Sequence, residues 1–343
     1  MRYLITGGAG FIGSNLVRHL LASDPELHVT NLDALTYAGN PDNLRGVEDD
    51  ARYSFVQGDI CDPEVVVGVM AGADVVIHLA AESHVDRSIR SGAPFVRTNV
   101  LGTQTLLAAA SEAGVERFVH VSTDEVYGEL PWRDPEDGAD AEAPRFREED
   151  ALRPRSPYAA SKAAADHLAL AWHTTHGLDV VLTRCSNNYG PYQFPEKLLP
   201  VVVTHALEDR SIPVYGDGLY VRDWIHVEDH CRGIVAAAER GRPGRVYNFG
   251  GDAERTNLRL VHTVLDLLAK PRALIEHVRD RPGHDRRYAV DWSRAEEELG
   301  WCPSVGFEEG IERTVAWYRD HRAWWERAGS GNGGREHEER HGG

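Results

Sequence analysis

The chain has 343 residues, of which 42% are hydrophobic and 27% are charged, and its formal net charge at pH 7 is −17. These proportions are typical of a globular protein with one large domain or two interleaved ones. The negative charge argues against nucleic acid or an anionic membrane surface as a partner, so an anionic ligand would need a locally basic pocket.

In the first half of the chain, short runs rich in Val, Ile, Leu and aromatic residues alternate with longer stretches of helical spacing. Strands that alternate with helices pair in parallel through right-handed crossovers, which predicts an α/β fold with a doubly wound parallel sheet of Rossmann type. The predicted strands are 2–6, 28–33, 53–57, 75–80, 117–122 and 179–184, and the main predicted helices are 11–22, 93–113 and 157–176.

A glycine-rich turn, Gly7-Gly8-Ala9-Gly10-Phe11-Ile12-Gly13, follows the first predicted strand and opens the first helix. Glycines there permit a tight turn and let the backbone approach a pyrophosphate at a helix N-terminus. Asp33 ends the second strand about 20 residues further on, where a ribose-binding acid is expected. An acid at this position repels a 2′-phosphate, so we predict NAD rather than NADP. The alternative is that Asp33 only caps a turn.

Two further motifs carry chemistry. Ser122-Thr123-Asp124-Glu125-Val126-Tyr127-Gly128 follows the fifth strand, while Tyr158 and Lys162 lie four residues apart and share a helix face. An ammonium beside a phenol favours phenolate, so we expect Lys162 to lower the pKa of Tyr158 from about 10 towards neutrality. Such a tyrosine takes the proton of an alcohol as its hydride leaves to a nicotinamide, and two carboxylates can move protons at neighbouring carbons.

The position of the carboxylates favours a catalytic role. An Asp-Glu pair is usually a solvated turn, but Asp124 and Glu125 follow a strand at the carboxyl edge, where open α/β sheets bind ligands. Thr123 is placed to hydrogen-bond the same substrate hydroxyl as Tyr158. The predicted catalytic residues are Thr123, Asp124, Glu125, Tyr158 and Lys162.

The second half of the chain changes character after Asn187, where Pro, Tyr and Gly separate short mixed elements. We expect residues 1–186, with 223–245 returning to them, to form the NAD-binding domain. Residues 187–222 and 246–328 are expected to form a smaller, interleaved α/β substrate domain. The acidic, proline-rich stretch 129–155 predicts a long loop that either covers the substrate or is an inert excursion. Residues 329–343 predict a flexible tail.

These motifs resemble the extended short-chain dehydrogenase/reductase family and, within it, the dTDP-glucose 4,6-dehydratases. The resemblance runs from residue 2 to about residue 325 and includes the segments 6–13, 32–40, 80–88, 122–128, 184–197 and 281–288. It adds to the expected cofactor contacts around the strand ends. The predicted cofactor-binding residues are Gly7, Gly10, Phe11, Ile12, Gly13, Asp33, Ala34, Leu35, Thr36, Asp59, Ile60, Leu79, Ala80, Ala81, Ser83, Thr98, Tyr158, Lys162 and Asn188.

The resemblance implies a three-step reaction. Tyr158 deprotonates the glucose 4-hydroxyl while hydride passes to NAD, with Lys162 and Thr123 in support. The 4-ketone acidifies the C5 proton, so Glu125 removes it as Asp124 protonates the departing 6-hydroxyl. Hydride then returns to C6, which yields a 4-keto-6-deoxy sugar and regenerates NAD.

The resemblance also implies a nucleotide-sugar site in the second domain. Cationic and amide donors there would hold a diphosphate that the acidic surface otherwise repels, and residues 213–215 would pack against the base. The predicted substrate-binding residues are Ser83, His84, Thr123, Asn187, Lys197, Leu198, Pro213, Val214, Tyr215, Arg222, Asn257, Arg281 and His284.

Other functions fit part of this pattern. A UDP-glucose 4,6-dehydratase or a UDP-sugar 4-epimerase is the nearest alternative, because thymine and uracil differ by one methyl group. A catalytically silent NAD-binding scaffold is the alternative from another class, and the intact carboxylate and Tyr-Lys motifs argue against it. Helices 93–113 and 157–176 have small-residue faces and are expected either to form a homodimer interface, as in the family, or to be buried within one subunit.

Cysteine usage and hydropathy give the remaining expectations. The four cysteines are too widely spaced for a disulfide framework or a zinc site, and we predict no metal. No signal peptide is recognisable before the first strand and no apolar run approaches the roughly 20 residues of a membrane span, so we expect a cytoplasmic protein. The cysteines are Cys61, Cys185, Cys231 and Cys302.

Overall fold

The computed structural model describes residues 1–135 and 143–330. Its strands are β1 (Arg2–Thr6), β2 (His28–Asp33), β3 (Tyr53–Gln57), β4 (Val75–His78), β5 (Arg117–Thr123), β6 (Val180–Cys185), β7 (Asn187–Tyr189), β8 (Ile212–Tyr215), β9 (Val221–His226), β10 (Val246–Phe249), β11 (Glu254–Thr256) and β12 (Ile275–Val278).

The helices in the same ranges are α1 (Phe11–Ser23), α2 (Pro63–Met70), α3 (Val85–Arg90), α4 (Ala93–Phe95), α5 (Thr103–Ala113), α6 (Pro157–His176), α7 (Leu198–Leu207), α8 (Val227–Arg240), α9 (Asn257–Leu267), α10 (Ser293–Leu299), α11 (Phe307–Asp320) and α12 (Arg322–Ser330). A π-helix, Val96–Gly102, joins α4 to α5, and short 3-10 helices form at Pro41–Leu44, Asp124–Tyr127 and Arg272–Leu274.

Seven strands form one parallel sheet in the order β10-β6-β5-β4-β1-β2-β3. The predicted doubly wound parallel sheet is confirmed, and the order reverses between β1 and β4, which opens a crevice at the carboxyl ends of these strands. The fourth strand ends at His78 rather than residue 80. It ends there because Ala80 N donates to the Thr6 hydroxyl oxygen at 3.2 Å instead of to a strand backbone.

Helices cover both faces of this sheet. On one face α1 and α8 bury Leu16 and Ile234 in a common cluster. On the other face α2, α5 and α6 contribute Met70, Leu106 and Ala169 to a second cluster. Burial on both faces explains why the strands read as nearly continuous apolar runs in the sequence.

Helix α6 begins and ends where its sequence signals lie. The Ser156 hydroxyl accepts a hydrogen bond from Ala159 N at 3.0 Å, Pro157 takes the first helical position, and Gly177 ends the helix with φ +70°. Serine caps, an initial proline and a terminal left-handed glycine are favoured at these positions. Helix 157–176 is therefore confirmed at both ends.

The second half of the chain builds a smaller lobe. Strands β11, β9 and β7 form a three-stranded sheet and β12 pairs with β8. Helices α7, α9 and α11 pack there around Val202, Val261 and Ile311.

The boundaries between the two lobes differ from the expected ones. Residues 246–249 are β10, the edge strand of the large sheet, and 223–226 belong to β9 in the small one. We propose that the first lobe comprises residues 1–186, 227–249 and α10, which packs its Ala295 and Leu299 beside β10 together with the following Trp301.

The predicted loop and tail are described in part. The described ends of 129–155 lack a helix or strand, apart from an isolated bridge between Phe146 and Val290. Helix α12 continues two residues into the predicted tail, and 136–142 and 331–343 lie outside the described residues. Among the described helices, none is both long enough and apolar enough to cross a membrane.

Candidate active site

The glycine-rich turn closes tightly over the end of β1. Gly7 has φ +76°, and its N–H donates to Leu32 O at 2.9 Å. A Cβ atom at Gly13 would lie 2.2 Å from Gly7 O, so no side chain fits there. The turn therefore presents bare backbone in front of the first turn of α1, as a pyrophosphate-binding turn requires.

Asp33 holds this turn from the neighbouring strand. Its carboxylate accepts hydrogen bonds from Ala9 N at 2.9 Å and from Leu35 N at 2.8 Å. Burial raises its pKa, and the two backbone hydrogen bonds oppose that rise. Asp33 also lines a cleft at the carboxyl edge of the sheet. Asp33 therefore caps the turn, which was the alternative interpretation, and also occupies a position suited to a ribose.

A cleft of about 950 Å³ runs along the carboxyl edge of the sheet. This volume suits a ligand of dinucleotide size. It brings together most residues predicted to bind the cofactor and all five predicted to act in catalysis: Gly7, Gly10, Phe11, Ile12, Gly13, Asp33, Ala34, Thr36, Asp59, Ile60, Leu79, Ala80, Ala81, Ser83, Thr98, Thr123, Asp124, Glu125, Tyr158, Lys162 and Asn188.

The remaining predicted residues divide into two that line this cleft and a larger group that does not. Asn187 and Lys197 line it as well. Leu35 is not part of its lining and adopts φ +51° behind Asp33. The rest of the predicted substrate set also lies outside the lining: His84, Leu198, Pro213, Val214, Tyr215, Arg222, Asn257, Arg281 and His284.

The carboxylates are placed by the turn that ends β5. The Thr123 hydroxyl oxygen accepts from Glu125 N at 3.3 Å and caps the 3-10 helix Asp124–Tyr127. The same hydroxyl donates to one oxygen of Asp124 at 3.3 Å, while Asp124 Oδ2 is buried without a hydrogen-bond partner. An unpaired buried carboxyl oxygen favours the protonated acid.

The two carboxyl groups differ in their surroundings. Burial, followed by the charges of Glu125 and Asp223, raises the pKa of Asp124 well above its ordinary value. Burial also raises the pKa of Glu125, but Arg281, Lys197 and Arg222 oppose this rise. The environment therefore keeps Asp124 as the proton donor of the pair and favours ionisation of Glu125 by comparison.

The expected lowering of the pKa of Tyr158 is wrong for this arrangement. Burial, followed by the charge of Glu125, raises the pKa of Tyr158 well above 10. Lys162 is 4% exposed, and its ammonium donates to Val121 O at 2.8 Å. The helix thus places both side chains on one face as predicted, but the spacing alone did not reveal the burial and the nearby carboxylates that oppose phenolate formation.

Part of the predicted substrate set gathers on the other side of the carboxylates. His284 stacks on Tyr220, with ring centroids 3.7 Å apart, and its ring nitrogen Nδ1 lies 2.8 Å from Asp280. Burial, together with the charges of Arg281 and Arg222, lowers the pKa of His284 to about 3, so the ring is neutral. The cationic character of this region comes from the arginines and Lys197, whose charges also reach Glu125.

Contacts join this region to the first lobe. The Tyr215 hydroxyl donates to Asp86 on α3 at 3.2 Å, and Arg281 lies 3.6 Å from the same carboxylate. The amide oxygens of Asn187 and Asn257 are buried without a hydrogen-bond partner. Pro213 and Val214 lie in β8, and Leu198 begins α7.

The sequence reasoning missed several residues of the cleft lining, among them Glu196, and it missed Asn99, which lies outside the lining. Glu196 lies 3.7 Å from His84, and its only signal was an acid directly before Lys197. Asn99, in the π-helix, donates to Ser161 Oγ at 2.8 Å and exchanges hydrogen bonds with the backbone of Glu82. π-Helical turns often occur at functional sites, but no sequence pattern announces them.

Within residues 1–135 and 143–330, no group of three or more His, Cys, Asp or Glu side chains is arranged to hold a metal ion.

Comparison with known proteins agrees with this geometry. The model of the family described as GDP-mannose 4,6 dehydratase matches residues 4–314. A curated dTDP-glucose 4,6-dehydratase from Streptomyces griseus is 57% identical over 325 residues, which cover 94% of this chain and 95% of that protein.

Solved structures give the same result. The crystal structure of a dTDP-glucose 4,6-dehydratase from Streptomyces venezuelae with NAD bound has a TM-score of 0.90 and 50% identity, covering 96% of this chain and 100% of that one. A UDP-glucose 4-epimerase from Thermotoga maritima is less alike, with a TM-score of 0.84 and 30% identity over 93% of this chain and 99% of that one. The chain therefore belongs to the GDP-mannose 4,6-dehydratase family and, within it, to the dTDP-glucose 4,6-dehydratases.

Proposed function

We propose that the protein converts dTDP-glucose to dTDP-4-keto-6-deoxyglucose with a tightly bound NAD that is used and regenerated. The observation that carries this proposal is the convergence of Asp124, Glu125 and Tyr158 on one cleft. An alcohol oxidation needs only the tyrosine, whereas loss of water from the neighbouring carbons also needs an acid and a base.

The cleft fits NAD on the evidence of its own residues. The bare backbone of the turn, packed closely at Gly13 in front of α1, suits a pyrophosphate, and Asp33 lines the cleft where it suits a ribose. A carboxylate there disfavours a 2′-phosphate, which supports NAD over NADP. When bound, NAD supplies the hydride acceptor and the positive charge of its oxidised ring.

Tyr158 is proposed to take the proton of the sugar 4-hydroxyl. Its raised pKa means that the site must supply positive charge or lose negative charge before the phenolate forms. Lys162 contributes a buried cation on the same helix face. Asp124 contributes less negative charge than an exposed carboxylate would, because burial raises its pKa and favours its protonated form.

Glu125 is proposed to remove the C5 proton once a ketone at C4 has made that proton acidic. Asp124 then gives its proton to the 6-hydroxyl, which departs as water. When C6 is reduced, Glu125 returns its proton to C5, and the proton that Tyr158 took from the 4-hydroxyl restores Asp124, so the net change is the loss of one water. The assignment rests on their environments, since three cations favour ionised Glu125 while Asp124 has a buried, unpaired oxygen.

The cations beyond Glu125 are proposed to bind the nucleotide diphosphate. Lys197, Arg222 and Arg281 concentrate positive charge in a chain whose net charge is −17. The unpaired amide oxygens of Asn187 and Asn257 in the same lobe can accept hydrogen bonds from the sugar or the base rather than from phosphate. Arginine forks suit phosphate oxygens, so we expect Arg222→Ala to raise KM more than it lowers kcat.

Incubation with dTDP-glucose and with UDP-glucose, read by mass spectrometry, tests the proposal. A dehydratase gives a product that has lost one water, and we expect turnover without added NAD if the cofactor copurifies. A product of unchanged mass that chromatography separates from the substrate would indicate an epimerase instead. Absence of any product with NAD supplied would indicate a silent scaffold.

The thymidine nucleotide is favoured over uridine by the relatives. The Streptomyces dehydratases at 50–57% identity are described as acting on dTDP-glucose, whereas the UDP-glucose epimerase is 30% identical. We expect a preference for dTDP-glucose of roughly tenfold to 200-fold, because one methyl group in an apolar pocket contributes about 1 to 3 kcal/mol.

We also propose a homodimer and a cytoplasmic location. Val96 and Leu101, on the π-helix beside α6, are 57% and 52% exposed, and they form an apolar face with Val100 and Leu168. Such a face suits a second copy of the chain better than water. All four cysteines are free thiols, which fits a reducing compartment.

A further inference from the structure

A buried chain of charged and polar groups lies behind Lys162, on the side away from the cleft. Asp166 follows Lys162 by four residues on α6, so the two side chains share one helix face about 5–6 Å apart at Cβ. Asp166 is fully buried, and Arg184 of β6 donates to it from Nε at 2.9 Å. Neither Asp166 nor Arg184 lines the cleft.

The chain continues across the sheet. His120 Nε2 of β5 lies 3.3 Å from the other oxygen of Asp166. A second guanidinium nitrogen of Arg184 donates to the Tyr127 hydroxyl at 2.8 Å, and that hydroxyl donates to Asn248 at 2.8 Å. The position of Asp166 is thus fixed by Arg184 of β6 in addition to its own helix, while His120 lies beside its second oxygen without a hydrogen bond.

The charge balance of this cluster is unusual. Burial lowers the pKa of His120, and burial lowers that of His78 on β4 far below its ordinary value, so both rings are neutral. Burial raises the pKa of the Cys185 thiol to about 12, so it too is neutral. The remaining charges are two cations, Lys162 and Arg184, and the single carboxylate of Asp166.

Only one of the two cations can be discharged. An arginine keeps its proton in proteins, whereas a buried lysine gives it up readily. Burial already lowers the pKa of Lys162, and Asp166 is the largest influence in the opposite direction. Without the carboxylate, the surplus positive charge would be relieved by loss of the proton from Lys162.

We propose that Asp166 is a positioning residue that keeps Lys162 charged on the helix face that carries Tyr158, and that the hydrogen bond from Arg184 holds Asp166 in place for that purpose. Its role in turnover rests on the proposed function, because Lys162 matters only if Tyr158 must form a phenolate. The state of Lys162 itself can be measured independently.

The rarity of lysine makes that measurement direct. Only Lys162, Lys197 and Lys270 occur in the chain, so NMR of protein made with isotope-labelled lysine yields three side-chain signals. Lys197→Arg and Lys270→Arg variants assign them by elimination. We would titrate the Lys162 signal in the wild type and in Asp166→Asn, Arg184→Gln and Tyr127→Phe variants.

The two variants that change a charge are expected to shift the titration of Lys162 in opposite directions. Asp166→Asn should lower the pH at which Lys162 titrates by about one unit or more, because it removes the neighbouring anion. Arg184→Gln should raise it, because a cation is lost and the carboxylate stays. Tyr127→Phe breaks the same hydrogen-bond chain without changing charge and should leave the titration unchanged.

Turnover gives a second readout with dTDP-glucose. Asp166→Asn should lower kcat and shift its alkaline limb to lower pH while KM stays near the wild-type value. If Asp166→Asn does not fold, the Asp166→Asn/Arg184→Gln double variant is compared with Arg184→Gln instead, and Lys162 should titrate at a lower pH in the double variant than in Arg184→Gln. A wild-type protein that forms no product refutes the proposed function alone. An unmoved Lys162 titration in Asp166→Asn, or shifts of one sign in both charge variants, refutes this inference.

Discussion

Within the carboxylate pair, one group has the surroundings of an acid and the other those of a base. Asp124 has a buried, unpaired oxygen and anionic neighbours, whereas Glu125 is offset by Arg281, Lys197 and Arg222. Pushing two pKa values apart in this way lets adjacent carboxyl groups perform opposite proton transfers at one pH. The order of the two residues in the sequence carries no such information.

Substitution of either carboxyl group tests this division. Glu125→Gln and Asp124→Asn should each lower dehydration by roughly a hundredfold to ten-thousandfold. Oxidation at C4 should survive, because Tyr158 and Lys162 remain. Mass spectrometry follows dehydration, and the absorbance of reduced NAD in a single turnover follows oxidation.

The control for both is Glu64→Gln, an exposed carboxylate in the first turn of α2. It should react as the wild type does. Dehydration at an unchanged rate in either active-site variant would refute the assigned role.

The buried carboxyl group of Asp223 is expected to make the folded protein less stable as the pH rises, the opposite of the usual effect of an acidic residue. Burial raises its pKa from 3.8 to about 6, against hydrogen bonds from Ala253 N and Gly251 N. Between pH ~4 and ~6 the folded protein therefore binds more protons than the unfolded chain, and stability falls as pH rises through this window. The loss contributed by this group is roughly 3 kcal/mol at neutral pH.

In Asp223→Asn this contribution should be absent. Urea unfolding is measured at pH 4, 5, 6 and 7. The free energy of unfolding of the variant, relative to that of the wild type, should increase by up to roughly 3 kcal/mol as pH rises. Parallel stability curves for the two proteins would show that Asp223 titrates normally.

Among the elements, the glycine turn and α1 form the part of the site that depends most on backbone geometry. We predict that Gly13→Ala loses NAD, because the new Cβ would lie 2.2 Å from Gly7 O and the turn would have to open. The measurement is the NAD released on denaturing the purified protein, together with the affinity for added NAD, which should fall by at least about tenfold.

Gly68→Ala is the matched control for that variant. Gly68 is also helical, in α2, and a Cβ atom there meets nothing within 4 Å. It should retain NAD and gain about 0.5–1 kcal/mol of stability from the better helix former. Equal retention of NAD by both variants would contradict the close packing of the turn.

The strands and helices differ in how well the sequence alone predicts them. The first three strands were predicted with their observed bounds, because each is a short run of strand-favouring residues between turns, although the edge strand β3 is largely exposed. The π-helix at Val96–Gly102 was predicted as ordinary helix, since one additional residue in a turn alters no periodicity that a short segment can reveal. The 246–249 strand was assigned to the other lobe because its pairing with β6 is long-range.

The site follows the same division. Residues at strand ends were predictable because the topology of a doubly wound sheet brings them to one edge. The raised pKa of Tyr158 and the cluster around Asp166 were not, since both depend on burial and on partners such as Arg184 and His120 that lie far apart in the chain. Motif spacing specifies which side chains meet, whereas the protonation they adopt depends on the packed surroundings.

For the whole molecule, the strongly acidic surface and the apolar face around the π-helix determine how copies of the chain associate. Copies with a net charge of −17 repel one another in general, so a stable dimer needs a local apolar contact. We predict that Val96→Glu/Leu101→Glu converts the proposed dimer to a monomer, measured by sedimentation, because a dimer would bury two unpaired carboxylates at that contact. Val67→Glu is the control, since Val67 is 55% exposed on α2, away from this face, and it should stay dimeric. The π-helix also carries Thr98 and Arg97 into the cleft, so the monomer should bind NAD more weakly than the dimer. A dimer that persists in the double variant would place the interface elsewhere.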